Sequence, residues 1–103
     1  MKLPFWGHNT INISAIAERK EDFELIDVRT PVEFRSGHIN YAKNVPLDKI
    51  TRFSGRKDQP VYVICQSGMR SKRAAKFLRN QGYDAKSVRG GMNQWDGPVR
   101  KGK

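Results

Sequence analysis

Cys65 opens the segment Cys-Gln-Ser-Gly-Met-Arg-Ser, residues 65 to 71, directly after the apolar run Val61-Tyr62-Val63-Ile64. A thiol in that position is placed to act as a nucleophile, because ligands of open α/β sheets bind outside the carboxyl ends of strands. Gln66 to Arg70 must bend sharply to start a helix, so several backbone N–H groups converge on one point, with the helix dipole aimed at it. An anion is held best there, and a thiolate stabilised by those amides and by the Arg70 guanidinium has a depressed pKa. Cys65 and Arg70 are therefore the candidate catalytic residues, and Gln66, Ser67, Gly68, Met69 and Ser71 complete a candidate substrate-binding loop. Ser71 reads two ways, as a hydroxyl donor to the sulfur or simply as a residue of the first helical turn. The bland reading of Cys65 is a small core residue ending a buried strand. The glycine, the arginine and the helix start that follow it argue for chemistry.

The elements that must position this loop read as strands alternating with helices. Ile11-Asn12-Ile13 alternates like a short edge strand, and Ser14 is placed to cap a helix carrying Ala15, Ile16 and Ala17. Glu24 to Val28 reads as a buried strand, and Thr30-Pro31 as a cap and first helical position for a turn ending near Gly37. Ala42 to Val45 suggests another short strand, and Leu47, Ile50 and Phe53 fall at helical spacing. Val61 to Ile64 is the central strand. After the loop, Ala74, Phe77, Leu78 and Gln81 form an apolar stripe ringed by Lys72, Arg73, Lys76 and Arg79 and ended by Gly82. Ala85 to Val88 gives a last strand, Gly90-Gly91 a turn and Met92 to Trp95 a final helical turn, with Trp95 as its packing anchor. This alternation predicts an α/β fold with a mostly parallel central sheet of about five short strands flanked by helices.

The chain has 103 residues, 37% hydrophobic and 29% charged, enough for one domain and one core. Ordinary Gly and Pro content excludes collagen-like and low-complexity classes. No apolar run approaches the roughly 20 residues of a membrane-spanning helix, and residues 1 to 7 lack the apolar core of a secretory signal, so a cytoplasmic location is expected. With one cysteine, no intramolecular disulfide can form. His8 and His38 show no metal-ligand spacing, so no metal is expected. Residues 1 to 51 hold seven Lys and Arg against seven Asp and Glu, while residues 52 to 103 hold thirteen against three, so all of the net +10 lies in the second half. Such a field attracts small anions, nucleic acid or acidic partners, or merely keeps a surface soluble.

Four separated motifs, Asp27-Val28-Arg29 with Glu33-Phe34, Gly37-His38-Ile39, Cys65 to Ser71, and Gly90-Gly91-Met92-Asn93-Gln94-Trp95, occur in the order of the rhodanese family. The chain resembles a single-domain rhodanese from about Ile11 to Pro98, which implies a three-layer rhodanese-like fold over residues 10–99. An N-terminal extension, residues 1–9, and a basic C-terminal tail, residues 100–103, then flank it. The resemblance implies a sulfurtransferase in which Cys65 carries sulfane sulfur as a persulfide. A small anionic donor, thiosulfate or another persulfide, supplies that sulfur, and cyanide, a thiol or a protein thiol takes it away without a cofactor. Where the family often has Pro-Gly-Ala, this chain has Asn40-Tyr41-Ala42, so that loop is expected to be shaped differently.

Asp27 and His38 read as hydrogen-bonding scaffold, and Arg29 with Glu33 as a structural ion pair across a helical turn. Two other function classes compete. A cysteine-dependent phosphatase or arsenate reductase also places Cys and Arg at the ends of an anion-binding loop, but its loop is one residue longer than the four residues between Cys65 and Arg70. A binding module would instead use the basic face of Arg70, Lys72, Arg73, Lys76 and Arg79, yet no nucleic-acid motif or row of stacking aromatics accompanies it, so nucleic acid is not expected as a partner.

Overall fold

A computed structural model describes residues 9–103, so His8 and all of the expected N-terminal extension except Asn9 lie outside the described residues. In chain order the elements are β1 (Thr10–Ile11), α1 (Ile13–Ala17), β2 (Glu24–Asp27), α2 (Pro31–Ser36), β3 (Lys43–Asn44), a 3-10 helix (Leu47–Arg52), β4 (Pro60–Ile64), α3 (Met69–Asn80), β5 (Asp84–Val88) and a second 3-10 helix (Gly91–Gln94). The five strands form one sheet in the order β1-β5-β4-β2-β3. Every pairing is parallel, as expected for strands joined by helical crossovers.

β4 lies at the centre, and both of its faces are covered. Val61, Val63 and Cys65 pack with Ala74, Ala75 and Leu78 of α3, while Tyr62 and Ile64 pack with Ile16 of α1 and Phe34 of α2. A strand buried on both faces has no polar side to alternate with, which is why its sequence is continuously apolar.

Register carries the site. Asp27 is level with Ile64, so the chain leaves β2 and β4 side by side, and Val63 is level with Ser87, so β5 runs alongside the approach to Cys65. Thr30 starts α2 with a capping box: its hydroxyl accepts from Glu33 N–H at 3.2 Å while Glu33 Oε1 accepts from Thr30 N–H at 2.9 Å.

The structure corrects three local readings. The first strand stops at Ile11, and Ile13 is already helical. Ser14 thus lies inside α1, and Asn12 holds the cap position without a side-chain cap bond. β1 has nothing further to pair with, since β5 ends at Val88, level with Ile11. The buried stripe of α3 is Ser71, Ala74, Ala75 and Leu78, with Phe77 half-buried and Gln81 exposed beyond the helix end. Small side chains on that face let the helix approach the sheet closely. The strand after Asn40-Tyr41 is only Lys43–Asn44, the edge partner of β2. Asn40 and Tyr41 form an exposed turn, closed by Ala42 N–H donating to Ile39 O at 2.9 Å.

Trp95 is half-buried against the Ile16–Phe34 cluster. His38 and Arg100 exchange two backbone hydrogen bonds of 3.0 and 2.8 Å, and Gly102 N–H donates to Arg35 O at 2.8 Å, so the last residues are bonded to α2 and the turn after it.

Candidate active site

Cys65 follows the last residue of β4 and is 1% exposed, so its sulfur forms the floor of the loop that leads into α3. Gly68 takes a left-handed conformation (φ 109°), and this turns the chain so that Gly68 N–H donates to Cys65 Sγ at 3.0 Å. Ser71 N–H donates to the same sulfur at 3.3 Å. Ser71 Oγ lies 3.5 Å from the sulfur, where the thiol donates to it and a thiolate would accept from it.

The loop keeps this shape because its carbonyls are held outward. Cys65 O accepts from Met92 N–H at 2.8 Å, and Gln66 O accepts from Asn93 N–H at 3.0 Å. Gly91 makes that approach possible: a Cβ there would sit 2.3 Å from Cys65 O. With the carbonyls bonded away, the amides of the loop are left to face the sulfur. Burial pushes the Cys65 thiol up, but hydrogen bonds from the Ser71 hydroxyl and from the N–H groups of Ser71, Gly68 and Ser67 outweigh it and hold the thiol below its ordinary value.

From the sequence, Arg70 is expected to share in that effect. In the structure Arg70 Nη1 and Nη2 donate to Glu33 Oε1 and Oε2 at 2.7 and 3.0 Å, and the amides and Ser71 supply the stabilisation of the sulfur. Arg70 still lies within electrostatic reach of Cys65. The expected ion pair of Arg29 with Glu33 is therefore replaced by two others. Arg29 is buried and pairs with Asp27 at 2.8 Å, donating also to Gly37 O at 2.8 Å and to Gln66 Oε1 at 3.2 Å. Thr30, itself in extended backbone, caps α2 between them, so Arg29 lies outside the helix and does not stack on Glu33 as helix neighbours do.

Of the other candidate residues, Gln66 bridges Arg29 to Asn93, whose Oδ1 accepts from Gln66 Nε2 at 2.7 Å. Ser67 is exposed at the loop tip and Met69 is 73% exposed at its rim. Asp27 and His38 are buried, Asp27 under Arg29 and His38 with Nδ1 2.7 Å from Phe34 O, in keeping with scaffold roles. Ser87 carries no signal of its own in the sequence. It is buried on β5 with Oγ 2.7 Å from Ser71 Oγ, and only the β4–β5 register could have pointed to it. Among the described residues no cluster of His, Cys, Asp and Glu could hold a metal ion, and no helix is long and apolar enough to cross a membrane.

A family model described as a rhodanese-like domain matches residues 13–97, which takes in every element of this site. The chain belongs to the rhodanese-like domain family. This rhodanese-like domain is 42% identical to the uncharacterized protein YqhL of Bacillus subtilis over 83 residues, covering 78% of this chain and 66% of that protein. It is 36% identical to the thiosulfate sulfurtransferase GlpE of Pseudoalteromonas translucida over 80 residues, covering 75% and 76% of the two chains. Among solved structures, a rhodanese-like domain protein from Staphylococcus aureus superposes with a TM-score of 0.82 at 29% identity, over 92% of this chain and 99% of that one. A rhodanese-related protein from Thermoplasma volcanium gives 0.79 at 31% identity, over 88% and 96%.

Proposed function

We propose that this rhodanese-like domain is a sulfurtransferase that moves sulfane sulfur through a persulfide on Cys65. The observation that carries the reading is the set of backbone amides, Gly68 at 3.0 Å and Ser71 at 3.3 Å, aimed at a buried cysteine sulfur. In the first half-reaction the Cys65 thiolate attacks the outer sulfur of the donor. With thiosulfate, a sulfur–sulfur bond forms to Cys65, the bond from that sulfur to the sulfonate sulfur breaks, and the electron pair leaves with sulfite; no proton is needed. In the second, cyanide or a thiolate attacks the terminal persulfide sulfur and Cys65 departs as the thiolate. The same amides stabilise the thiolate before and after, and the persulfide anion between.

Two features disfavour a phosphatase or arsenate reductase. Phosphate cradles use an arginine fork to hold two oxygens, and here that fork is engaged by Glu33. Cys65 also lies at the bottom of a short loop, where one sulfur atom fits more readily than a tetrahedral oxyanion.

Steady-state turnover of thiosulfate with cyanide tests the covalent intermediate. Parallel double-reciprocal lines are expected for a ping-pong scheme, and intersecting lines would contradict it.

A further inference from the structure

Both arginines that face the Cys65 loop are matched by a carboxylate. Arg29, which reaches Gln66, is paired with Asp27 at 2.8 Å, and Arg70 is paired with Glu33 at 2.7 Å. Lys72, Lys76 and Arg79 converge elsewhere, on a shallow cavity of about 310 Å³ shared with Asn9 and Thr10. In a chain of net charge +10, the two arginines bonded around this loop are thus each offset by a carboxylate. The stabilisation of an anion at the sulfur falls to uncharged groups, the Ser71 hydroxyl and the loop amides.

The Arg70–Glu33 pair is a built feature rather than a chance surface contact. Glu33 Oε1 is already fixed by Thr30 N–H through the capping box of α2, so the carboxylate waits in place whatever Arg70 does. Both side chains are about two-thirds buried, and Arg70 meets both carboxylate oxygens at once. The Arg70 hydrogen bonds, the largest cause, hold the Glu33 carboxyl at about 2 against an ordinary 4.5, so it stays charged wherever the protein can be assayed. To meet a dianion squarely, Arg70 would have to share or surrender this partner.

We propose that Glu33, by neutralising Arg70, sets the charge of the sulfur donor: the site favours donors with one negative charge on the transferred sulfur, organic persulfides and thiosulfonates, over the thiosulfate dianion. This rests on the sulfurtransferase reading and narrows its substrate class. Both donor types undergo the same step. The Cys65 thiolate bonds to the sulfane sulfur, and the old bond to that sulfur breaks toward the leaving group. That group is sulfite from thiosulfate, a sulfinate from a thiosulfonate, or a thiolate from a persulfide. Negative charge is conserved in each case. Only the further charge carried by thiosulfate distinguishes them at the rim. Glu33 acts through Arg70 and touches no reacting atom, so it is a specificity-determining residue and not a catalytic one.

Thiosulfate and methanethiosulfonate, a dianion and a monoanion that both deliver one sulfur, serve as the probes. The measurement is the second-order rate of persulfide formation on Cys65 with each, and the ratio of the two rates. Glu33→Gln removes the charge, while the amide oxygen can still accept from Thr30 N–H. The ratio of thiosulfate to methanethiosulfonate should rise about tenfold in this variant, the effect of one uncompensated unit charge beside a partly solvated site. An unchanged or lower ratio overturns the proposal, because a merely structural role for Glu33 would slow both donors alike. Should circular dichroism show Glu33→Gln unfolded, Glu33→Ser takes its place: a raised ratio supports the proposal and an unchanged or lower one overturns it. Failure of both donors to persulfidate the unaltered protein would overturn the sulfurtransferase reading together with this one. Persulfide formation with an unmoved ratio would overturn this one alone.

Discussion

The N–H of Gly68 donates to Cys65 Sγ at 3.0 Å, and it does so only because Gly68 has φ 109°. A Cβ at Gly68 would find room, its nearest neighbours being Gly90 N at 3.5 Å and Val88 O at 3.9 Å. The cost of Gly68→Ala is thus conformational, of order 1–3 kcal/mol for a side chain held in this region. The loop is expected to relax and withdraw the amide. The pH profile of iodoacetamide alkylation should then move to higher pH, since one of the bonds that lowers the Cys65 pKa is lost. A profile that stays in place would mean that this amide contributes little.

Ser71 and Ser87 divide one proton problem between them. Ser71 Oγ lies 3.1 Å from Gly68 O, 2.7 Å from Ser87 Oγ and 3.5 Å from Cys65 Sγ, and it has a single proton to give. When Ser87 donates to Ser71, the Ser71 proton is free to turn from Gly68 O to a thiolate. Ser71→Ala should raise the alkylation pKa, and Ser87→Ala should raise it by less, because it only loosens the orientation of Ser71. Equal wild-type profiles for both variants would assign the lowered pKa to the backbone alone.

Gly91 carries a prediction about stability instead of reactivity. A methyl group there would meet Cys65 O at 2.3 Å and Gln66 O at 2.7 Å, both backbone atoms, at φ 59°. Backbone cannot swing aside as a flexible side chain can. Gly91→Ala is expected to destabilise by about 2–4 kcal/mol, combining overpacking with an unfavourable conformation. Chemical denaturation measures this, and a loss within about 0.5 kcal/mol, the range of neutral surface changes, would contradict the packing argument.

How far the sequence revealed these relations depended on their range. The loop could be read because everything that shapes it is local: an apolar run, a cysteine, a glycine and a helix start. The two ion pairs could not. Arg29 and Glu33 look like helix neighbours, but Thr30 caps α2 and leaves Arg29 outside the helix, while Glu33 finds its partner 37 positions away. Ser87 was hidden for a similar reason, since only the parallel register of β5 on β4 brings it beside the Cys65 approach. The Gly90-Gly91 pair reads as a turn, and its closer purpose, access for Met92 and Asn93 to the carbonyls of Cys65 and Gln66, needed the fold.

Mass spectrometry of the intact protein after incubation with thiosulfate, followed by cyanide, tests the role of Cys65 most directly. One sulfur atom should be gained, located on Cys65 by peptide mapping, and lost again on addition of cyanide. Cys65→Ser should keep the fold and gain nothing, because a hydroxyl at neutral pH is neither a comparable anion nor a sulfur carrier. A folded Cys65→Ser protein that still turns over thiosulfate, or a wild-type protein that gains no sulfur from thiosulfate or from methanethiosulfonate, would contradict the persulfide mechanism.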